Sequence, residues 1–335
     1  MTLTPRRGVA TVVAVTATAA LIFSGCASAS PDAPATLDPE NLTELNVIRS
    51  SGGQFEPLIL GMEQGFFEEE GLKLNVKAGT GNPASLAPQL VSGQIQFAQL
   101  DIASPISAVA EGVPISLLSV IQNDDPSLPS SAGVLVPPGS DITSVADLEG
   151  KTIATNQLAG LPVISTNIAL GKAGVPLDSV TWVQLTPDAL ADAALGGQAD
   201  AILTFAAFFA GAVEQGFTFL EDTAASQTLP RITQVVWSAS DQYIAENPEI
   251  VEAFVRANAK AEKYANENPD LVRAVDKEFT KLPESYIDTR AIQPFSGPFH
   301  VDIIQQAVDA MVEQGYVSQP IDVATDLLWS GAKLD

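Results

Sequence analysis

The sequence predicts an α/β fold of two matching lobes with a ligand cleft between them, and three observations support this prediction. Short strand-like runs alternate with helical stretches between residues 45 and 121, a pattern typical of a sheet covered by helices. The same alternation resumes at Lys151, after a segment rich in Pro and Ser. Two βα units, 93–113 and 197–217, match without a gap at a constant offset of 104 residues.

The first block of elements is read from apolar runs bounded by turn residues. Strands are expected at 45–49, 72–77, 95–100 and 115–121, and helices at 58 to about 71, 83–91 and 104–110. Because short loops join these elements, the sheet is expected to be mostly parallel. The segment 123–131 is predicted to cross to the second lobe.

The second block repeats this order, with strands expected at 151–155, 180–184, 199–203 and 217–220. The chain is predicted to cross back at 232–238. The later helices are expected to start at Asn247-Pro248 and Asn268-Pro269, each an N-cap followed by Pro. In the internal match, any two βα units share turn glycines and alanines, so chance similarity remains an alternative.

The N-terminal segment is typical of an export signal. Arg6-Arg7 precedes an apolar run, 9–23, that is too short to cross a ~30 Å hydrocarbon core comfortably. The sequence from Phe23 to Cys26 resembles a bacterial lipobox, with Phe23 where an aliphatic residue is usual. We therefore expect Cys26 to carry lipid (palmitate) and to hold the protein on the outer face of the cell membrane. The alternatives are a free thiol after cleavage or an uncleaved anchor, and the export route stays open.

The predicted domains follow from these readings. Residues 1–25 are the signal peptide and 26–44, rich in Pro and small residues, are a flexible tether. Lobe I is expected to comprise 45–130 and 236–335, and lobe II to comprise 131–235.

Composition narrows the possible functions. With 46% hydrophobic and 17% charged residues, the 335-residue chain is not disordered. A net charge of −24 argues against a nucleic-acid partner. One Cys and one His, His300, exclude an intramolecular disulfide and a Cys/His zinc site, and no metal or cofactor is expected.

Five segments in order resemble extracellular solute-binding proteins of ABC importers, in the group that serves nitrate, taurine, alkanesulfonates and thiamine precursors. The segments are PLILGMEQGFFEEEGLKLNV at 57–76, LVSGQIQFA at 90–98, AEGVP at 110–114, VADLEGKTIA at 145–154 and AALGGQADA at 193–201. Gln96 stands where the group more often has Asp.

This resemblance implies a two-lobed, type II periplasmic-binding-protein-like fold that closes on a ligand in the cleft. It also implies delivery to a membrane permease driven by a separate ATPase subunit, with a monomeric binding protein that is not an enzyme. Two other classes stay open. One is a sensor feeding a signalling partner. The other is a suicidal pyrimidine synthase, a class with a Cys-rich motif and a sacrificial His, whereas this chain is expected to have neither the Cys cluster nor an export-free N-terminus.

Candidate ligand-binding residues come from the loops that follow predicted strands, because ligands in open α/β sheets lie beyond the carboxyl ends of strands. They are Gln54, Phe55, Asp101, Ile102, Gln122, Asn123, Asn156, Leu161, Thr204, Phe205 and Trp237. Against this reading, Asp101 could cap the helix that follows it, and Phe205 and Trp237 could pack in a core.

The sequence indicates where a ligand would bind more clearly than which ligand it is. Arg49 and Lys77 are the only cations at predicted strand ends, and most candidate polar groups are neutral. This mixture suits a small heteroaromatic or amide-bearing compound at least as well as an oxyanion. Organosulfonates and pyrimidines are therefore held as nearly equal candidates.

Overall fold

The computed structural model of the protein describes residues 37–50, 53–79 and 85–335. The described strands are β1 (Thr43–Arg49), β2 (Leu72–Ala78), β3 (Phe97–Asp101), β4 (Ile115–Asn123), β5 (Ala132–Val136), β6 (Thr152–Thr155), β7 (Thr181–Gln184), β8 (Ala201–Phe205), β9 (Thr218–Leu220) and β10 (Thr233–Ser240). The signal peptide, Cys26 and the tether up to residue 36 lie outside the described residues. No helix in the described ranges has the length and apolar character needed to cross a bilayer.

The helices are α1 (Glu56–Glu63), α2 (Phe66–Glu69), α3 (Leu86–Val91), α4 (Ala103–Ala110), α5 (Leu161–Lys172), α6 (Leu190–Leu195), α7 (Ala206–Glu214), α8 (Ala225–Thr228), α9 (Asp241–Glu246), α10 (Pro248–Glu267), α11 (Pro269–Phe279), α12 (Glu284–Thr289) and α13 (Val301–Glu313). Short 3₁₀ turns and one π-helical turn, Val323–Leu327, join some of them. α10 and α11 begin at Pro, as predicted. The preceding asparagines do not cap them, because Asn247 and Asn268 each donate a side-chain hydrogen bond to the carbonyl four residues earlier.

Two five-stranded sheets define two lobes. Lobe I contains the sheet β2-β1-β3-β10-β4 and lobe II the sheet β7-β6-β8-β5-β9. As expected, each sheet is mostly parallel: four of its five strands run in the same direction, and one strand is antiparallel to both of its neighbours. The antiparallel strands are β10 and β5, which are the strands entered just after the chain has crossed between lobes.

The two lobes have equivalent topology. β3 and β8 both occupy the central position, and Phe97–Asp101 and Ala201–Phe205 are separated by the predicted offset of 104. The glycines that flank these units adopt the same left-handed backbone, with φ of 72° at Gly93 and 73° at Gly197. The internal match therefore reflects equivalent elements.

Each sheet is covered on both faces, which explains why its strands are apolar. In β1, Val47 faces a cluster with α1 and α10, whereas Ile48 faces the cluster that includes α4 and α13. Phe254 of α10 stacks on Phe97 of β3 with a ring separation of 3.8 Å. In lobe II, the two faces of β8 pack in the same way against α5 on one side and against α6 and α7 on the other.

Candidate ligand-binding site

A cavity of about 440 Å³ lies between the two sheets, and both lobes contribute to its lining. In lobe I it is lined by residues at the carboxyl ends of β1, β3 and β4, which are Arg49, Asp101 and Gln122. In lobe II, Phe205 at the end of β8 and Leu161 at the start of α5 face the same space. The cavity therefore lies where ligands bind in open α/β sheets.

Two residues at the cavity have a positive φ, a backbone conformation that residues other than glycine rarely adopt. Gln54 has a φ of 60° and Ala206 a φ of 51°, and both residues line the cavity. Gln99, also in the lining, fixes the turn after β1: its side-chain oxygen accepts from Ser50 N at 2.9 Å and its nitrogen donates to Gln54 O at 3.3 Å. Such strain clusters at ligand sites, where the surrounding structure maintains it.

A buried ionic group forms part of the wall. Arg290 donates to Asp276 Oδ2 at 2.6 Å and to Glu56 Oε1 at 3.0 Å, and the carboxylates of both acids are buried. Burial, reinforced by the neighbouring Asp276, raises the pKa of Glu56 to about 8. Burial opposes ionisation of Arg290, but the two carboxylates raise its pKa above the ordinary value. Only one oxygen of each acid has a hydrogen-bond partner in the described structure.

Asp124 and Arg49 are two further charged residues of the lining, and both are 8% exposed. Asp124 Oδ1 accepts from Gln234 at 3.1 Å, and its Oδ2 has no partner within the described ranges. Burial, with a contribution from Asp125, raises the pKa of Asp124 to about 6. The Arg49 guanidinium lies over the ring of Phe55, 3.8 Å from its centroid. Burial lowers the pKa of Arg49, and the charge of Glu56 opposes that effect.

Five predicted site residues line the cavity, and six do not. The five are Gln54, Asp101, Gln122, Leu161 and Phe205. Asp101 also caps its helix, as the alternative reading held, because Oδ1 accepts from Ala103 N and Ser104 N and Oδ2 accepts from Ser104 Oγ.

Three of the other six predicted residues, Phe55, Ile102 and Trp237, lie in the hydrophobic core and not at the cavity, which corrects their expected position. Each is at most 1% exposed. Trp237 lies in β10, the strand inserted between β3 and β4, and it packs edge-to-face on Phe254 at 5.0 Å. Phe55 serves the site indirectly, as the surface beneath Arg49.

The remaining three are polar residues engaged elsewhere. Asn123 donates to Pro298 O at 2.9 Å and accepts from Thr233 Oγ1 at 2.8 Å, so it ties strand ends together. The carbonyl of Asn156 accepts from Gln184. Thr204 is buried and faces a separate pocket of about 230 Å³ beneath α6 and α7.

The sequence analysis missed the wall built from the C-terminal helices. Asp276, Tyr286, Arg290 and Gln293 reach the cavity from α11, α12 and the loop that follows. One local signal was available, since Asp276 follows Val272 and Val275 on a buried helix face where a charged residue needs a partner. The described residues hold no group of three or more His, Cys, Asp or Glu side chains arranged to bind a metal.

Comparison with known proteins places this geometry in a family. A binding protein of Brucella abortus (strain 2308) is 26% identical over 236 residues, covering 69% of this chain and 70% of that protein. The 4-amino-5-hydroxymethyl-2-methylpyrimidine phosphate synthase of Schizosaccharomyces pombe is 22% identical over 219 residues, covering 60% of this chain and 59% of the enzyme. The crystal structure of the periplasmic aliphatic sulphonate binding protein SsuA from Escherichia coli matches with a TM-score of 0.71 and 21% identity, covering 85% of this chain and 97% of that one.

The sulphonate-binding structure shares the fold of this chain, a two-lobed α/β fold of the periplasmic-binding-protein type. The model of the family described as NMT1/THI5 like matches residues 53–271, more than half of the sequence. The chain therefore belongs to the NMT1/THI5-like family.

Proposed function

We propose that this protein is an exported, lipid-anchored solute-binding protein of an ABC importer. It captures a small organic solute in the cavity between lobes I and II and delivers it to a membrane permease. The observation that carries the proposal is the cavity itself, which is lined from both lobes and has a volume suited to a small molecule. The chain is predicted to cross between the lobes at 123–131 and at 232–238. A hinge motion about these two crossings would close the lobes on the solute.

The resemblance supplies four candidate solute classes, which are organosulfonates, taurine, nitrate and pyrimidine precursors of thiamine. The Escherichia coli relative is named for aliphatic sulphonates and the Schizosaccharomyces pombe relative for a pyrimidine phosphate. Similarity alone therefore supports a sulfonate and a pyrimidine as solutes equally. A ligand sensor for a signalling partner would use the same cavity.

A pyrimidine synthase is the weaker alternative, although one relative is such an enzyme. The single His of the chain, His300, does not line the cavity, and its Nδ1 lies 2.6 Å from Asp335 Oδ2. The single Cys, Cys26, belongs to the predicted lipobox. No residue that could act as a sacrificial His or form a Cys cluster is therefore available at the site.

A thermal-shift screen of the mature protein against sulfonates, nitrate, pyrimidines, amines and amino-acid-like solutes tests the proposal. A solute at about 100 times its dissociation constant should stabilise the folded state by about 2.7 kcal/mol. The same solute should reduce the radius of gyration in solution scattering, because closure makes the molecule more compact. If no solute class raises the melting temperature, or if saturating solute leaves the radius unchanged, the proposed function is wrong.

A further inference from the structure

The charges that line the cavity do not balance, and this imbalance bears on the solute. Four acidic side chains line it, those of Glu56, Asp101, Asp124 and Asp276, against the two guanidinium groups of Arg49 and Arg290. The raised pKa of Glu56, about 8, leaves that one group largely uncharged near pH 7. A buried charge is costly unless it is paired or hydrogen-bonded. Which carboxylate lacks a counterpart therefore indicates what the cavity is built to receive.

Three of the four carboxylates have a partner within the protein. Asp276 and Glu56 share Arg290, at 2.6 and 3.0 Å. Both oxygens of Asp101 accept hydrogen bonds at the start of α4, from two backbone N–H groups and one hydroxyl. Each of these three acidic side chains therefore has at least one partner within the protein, although one oxygen of Glu56 and one of Asp276 have none in the described structure.

Asp124 is the carboxylate that remains. It is 8% exposed, forms no salt bridge in the part of the chain that the structure describes, and has one oxygen, Oδ2, without a hydrogen-bond partner there. Its other oxygen accepts only from the neutral amide of Gln234. The adjacent residue, Asp125, is a second acid, so the local charge is negative.

The sheet topology keeps Arg49 away from this carboxylate. Arg49 ends β1 and Asp124 follows β4, and β3 and β10 lie between those strands. Three strand spacings place the two backbones about 14 Å apart. The cavity thus has a cationic side at Arg49 and an acidic side at Asp124.

We propose, on the basis of the solute-capture function above, that Asp124 binds a positively charged N–H group of the solute, such as an amine or an amidine. An inorganic oxyanion or a simple sulfonate could pair with Arg49 on the cationic side, but it would leave Asp124 without a partner. A solute with an N–H cation supplies both the missing charge and the missing hydrogen-bond donor. The other side of such a solute would lie toward Arg49 and the amide groups of Gln99 and Gln122.

Two probes of nearly identical shape and opposite charge test this assignment. Benzamidine carries an amidinium group and benzoate a carboxylate on the same ring, and ethanesulfonate and nitrate represent the oxyanion classes. Calorimetric titration of the mature protein should show tighter binding of benzamidine than of benzoate, ethanesulfonate or nitrate.

Asp124→Asn should weaken benzamidine binding by about tenfold or more, because it removes the charge and keeps the shape. The variant should fold, since it relieves a buried carboxylate. Asp125→Asn is the matched control: the neighbouring acid lies outside the cavity lining, and its loss should leave benzamidine affinity within about twofold.

Three results would overturn the inference: benzamidine fails to bind, Asp124→Asn binds it as well as the unsubstituted protein, or benzoate or a sulfonate binds instead. None of them decides the proposed function. That function fails if the broad solute screen finds no ligand or if a bound solute leaves the radius of gyration unchanged, whereas binding of a sulfonate in place of benzamidine would contradict the inference and support solute capture.

Discussion

Phe205 and Asp101 occupy equivalent positions on opposite lobes, and truncating each should have opposite consequences. Both end the central strand of their sheet and both line the cavity. Phe205 is 37% exposed and belongs to none of the hydrophobic clusters among the described residues. Asp101, in contrast, accepts three hydrogen bonds at the start of α4. We expect Phe205→Ala to impair solute binding and Asp101→Ala to impair stability.

The magnitudes follow from these environments. Closure around a solute would bury the exposed part of the Phe205 ring, so its loss should cost about 1–3 kcal/mol of binding free energy, or about 5- to 150-fold in affinity. The free energy of unfolding without solute should fall by less than about 1.5 kcal/mol, because the site is partly solvated. Loss of the Asp101 cap should lower that free energy by about 1–2 kcal/mol.

Phe209, on the helix α7 that follows Phe205, provides the matched control. It is 8% exposed, lies outside the cavity lining and packs edge-to-face on Phe219 at 4.9 Å. Phe209→Ala should therefore destabilise the protein by about 3–5 kcal/mol and leave the affinity of the folded fraction unchanged.

Melting curves without solute and calorimetric titration with the solute found in the screen measure both quantities. The reasoning is refuted if Phe205→Ala binds normally but melts early, since Phe205 would then be a packing residue like Phe209. Normal stability of Asp101→Ala would refute the capping role.

Three further predictions concern stability and attachment. Burial raises the pKa of Glu262 to about 8, so the folded state holds a proton that the unfolded state releases above its ordinary pKa of 4.5; stability should fall by up to about 5 kcal/mol from pH 4.5 to pH 8, and Glu262→Gln should flatten that slope in urea titrations. Gly61→Ala would place a Cβ 2.6 Å from the Ala261 Cβ and should cost about 1–3 kcal/mol in thermal melts, whereas Gly171→Ala, with no atom within 4 Å, should be neutral or stabilising. Cys26→Ala should release the protein from membranes in fractionation, and equal membrane recovery would contradict lipid anchoring.

The sequence alone determined the elements and their repetition. Apolar runs of four to nine residues between Gly, Pro and Asn turns are local signals, and β1, β2, β4 and β6–β9 lie close to their predicted places. The offset of 104 between the two βα units holds in the structure, because each unit has a strand, a short loop and a helix followed by a glycine with a left-handed backbone. The carboxyl ends of strands follow from chain direction, and five residues predicted on that basis, Gln54, Asp101, Gln122, Leu161 and Phe205, line the cavity. Their contact with a ligand stays a prediction.

Side-chain direction at these strand ends was decided by the tertiary structure. Successive residues of a strand point to opposite faces, and a shift of one residue separates the cavity from the core. Asp101 therefore lines the cavity while the next residue, Ile102, is buried. The sequence predicts a crossing at 232–238 that exposes Trp237 to the cleft, but β10 lies between β3 and β4 with both of its faces covered, and Trp237 is buried.

The electrostatic character of the site also arises only in the folded chain. Arg290 and Glu56 are separated by 234 residues and meet because α11 packs on α1 and α12, which precedes Arg290, packs on α11. No local pattern encodes such a pair, since it depends on where two distant helices end in space. The unpaired carboxylate of Asp124 is likewise a property of its surroundings: the sequence shows an acid in a crossing segment, and only the strand order places β3 and β10 between it and Arg49.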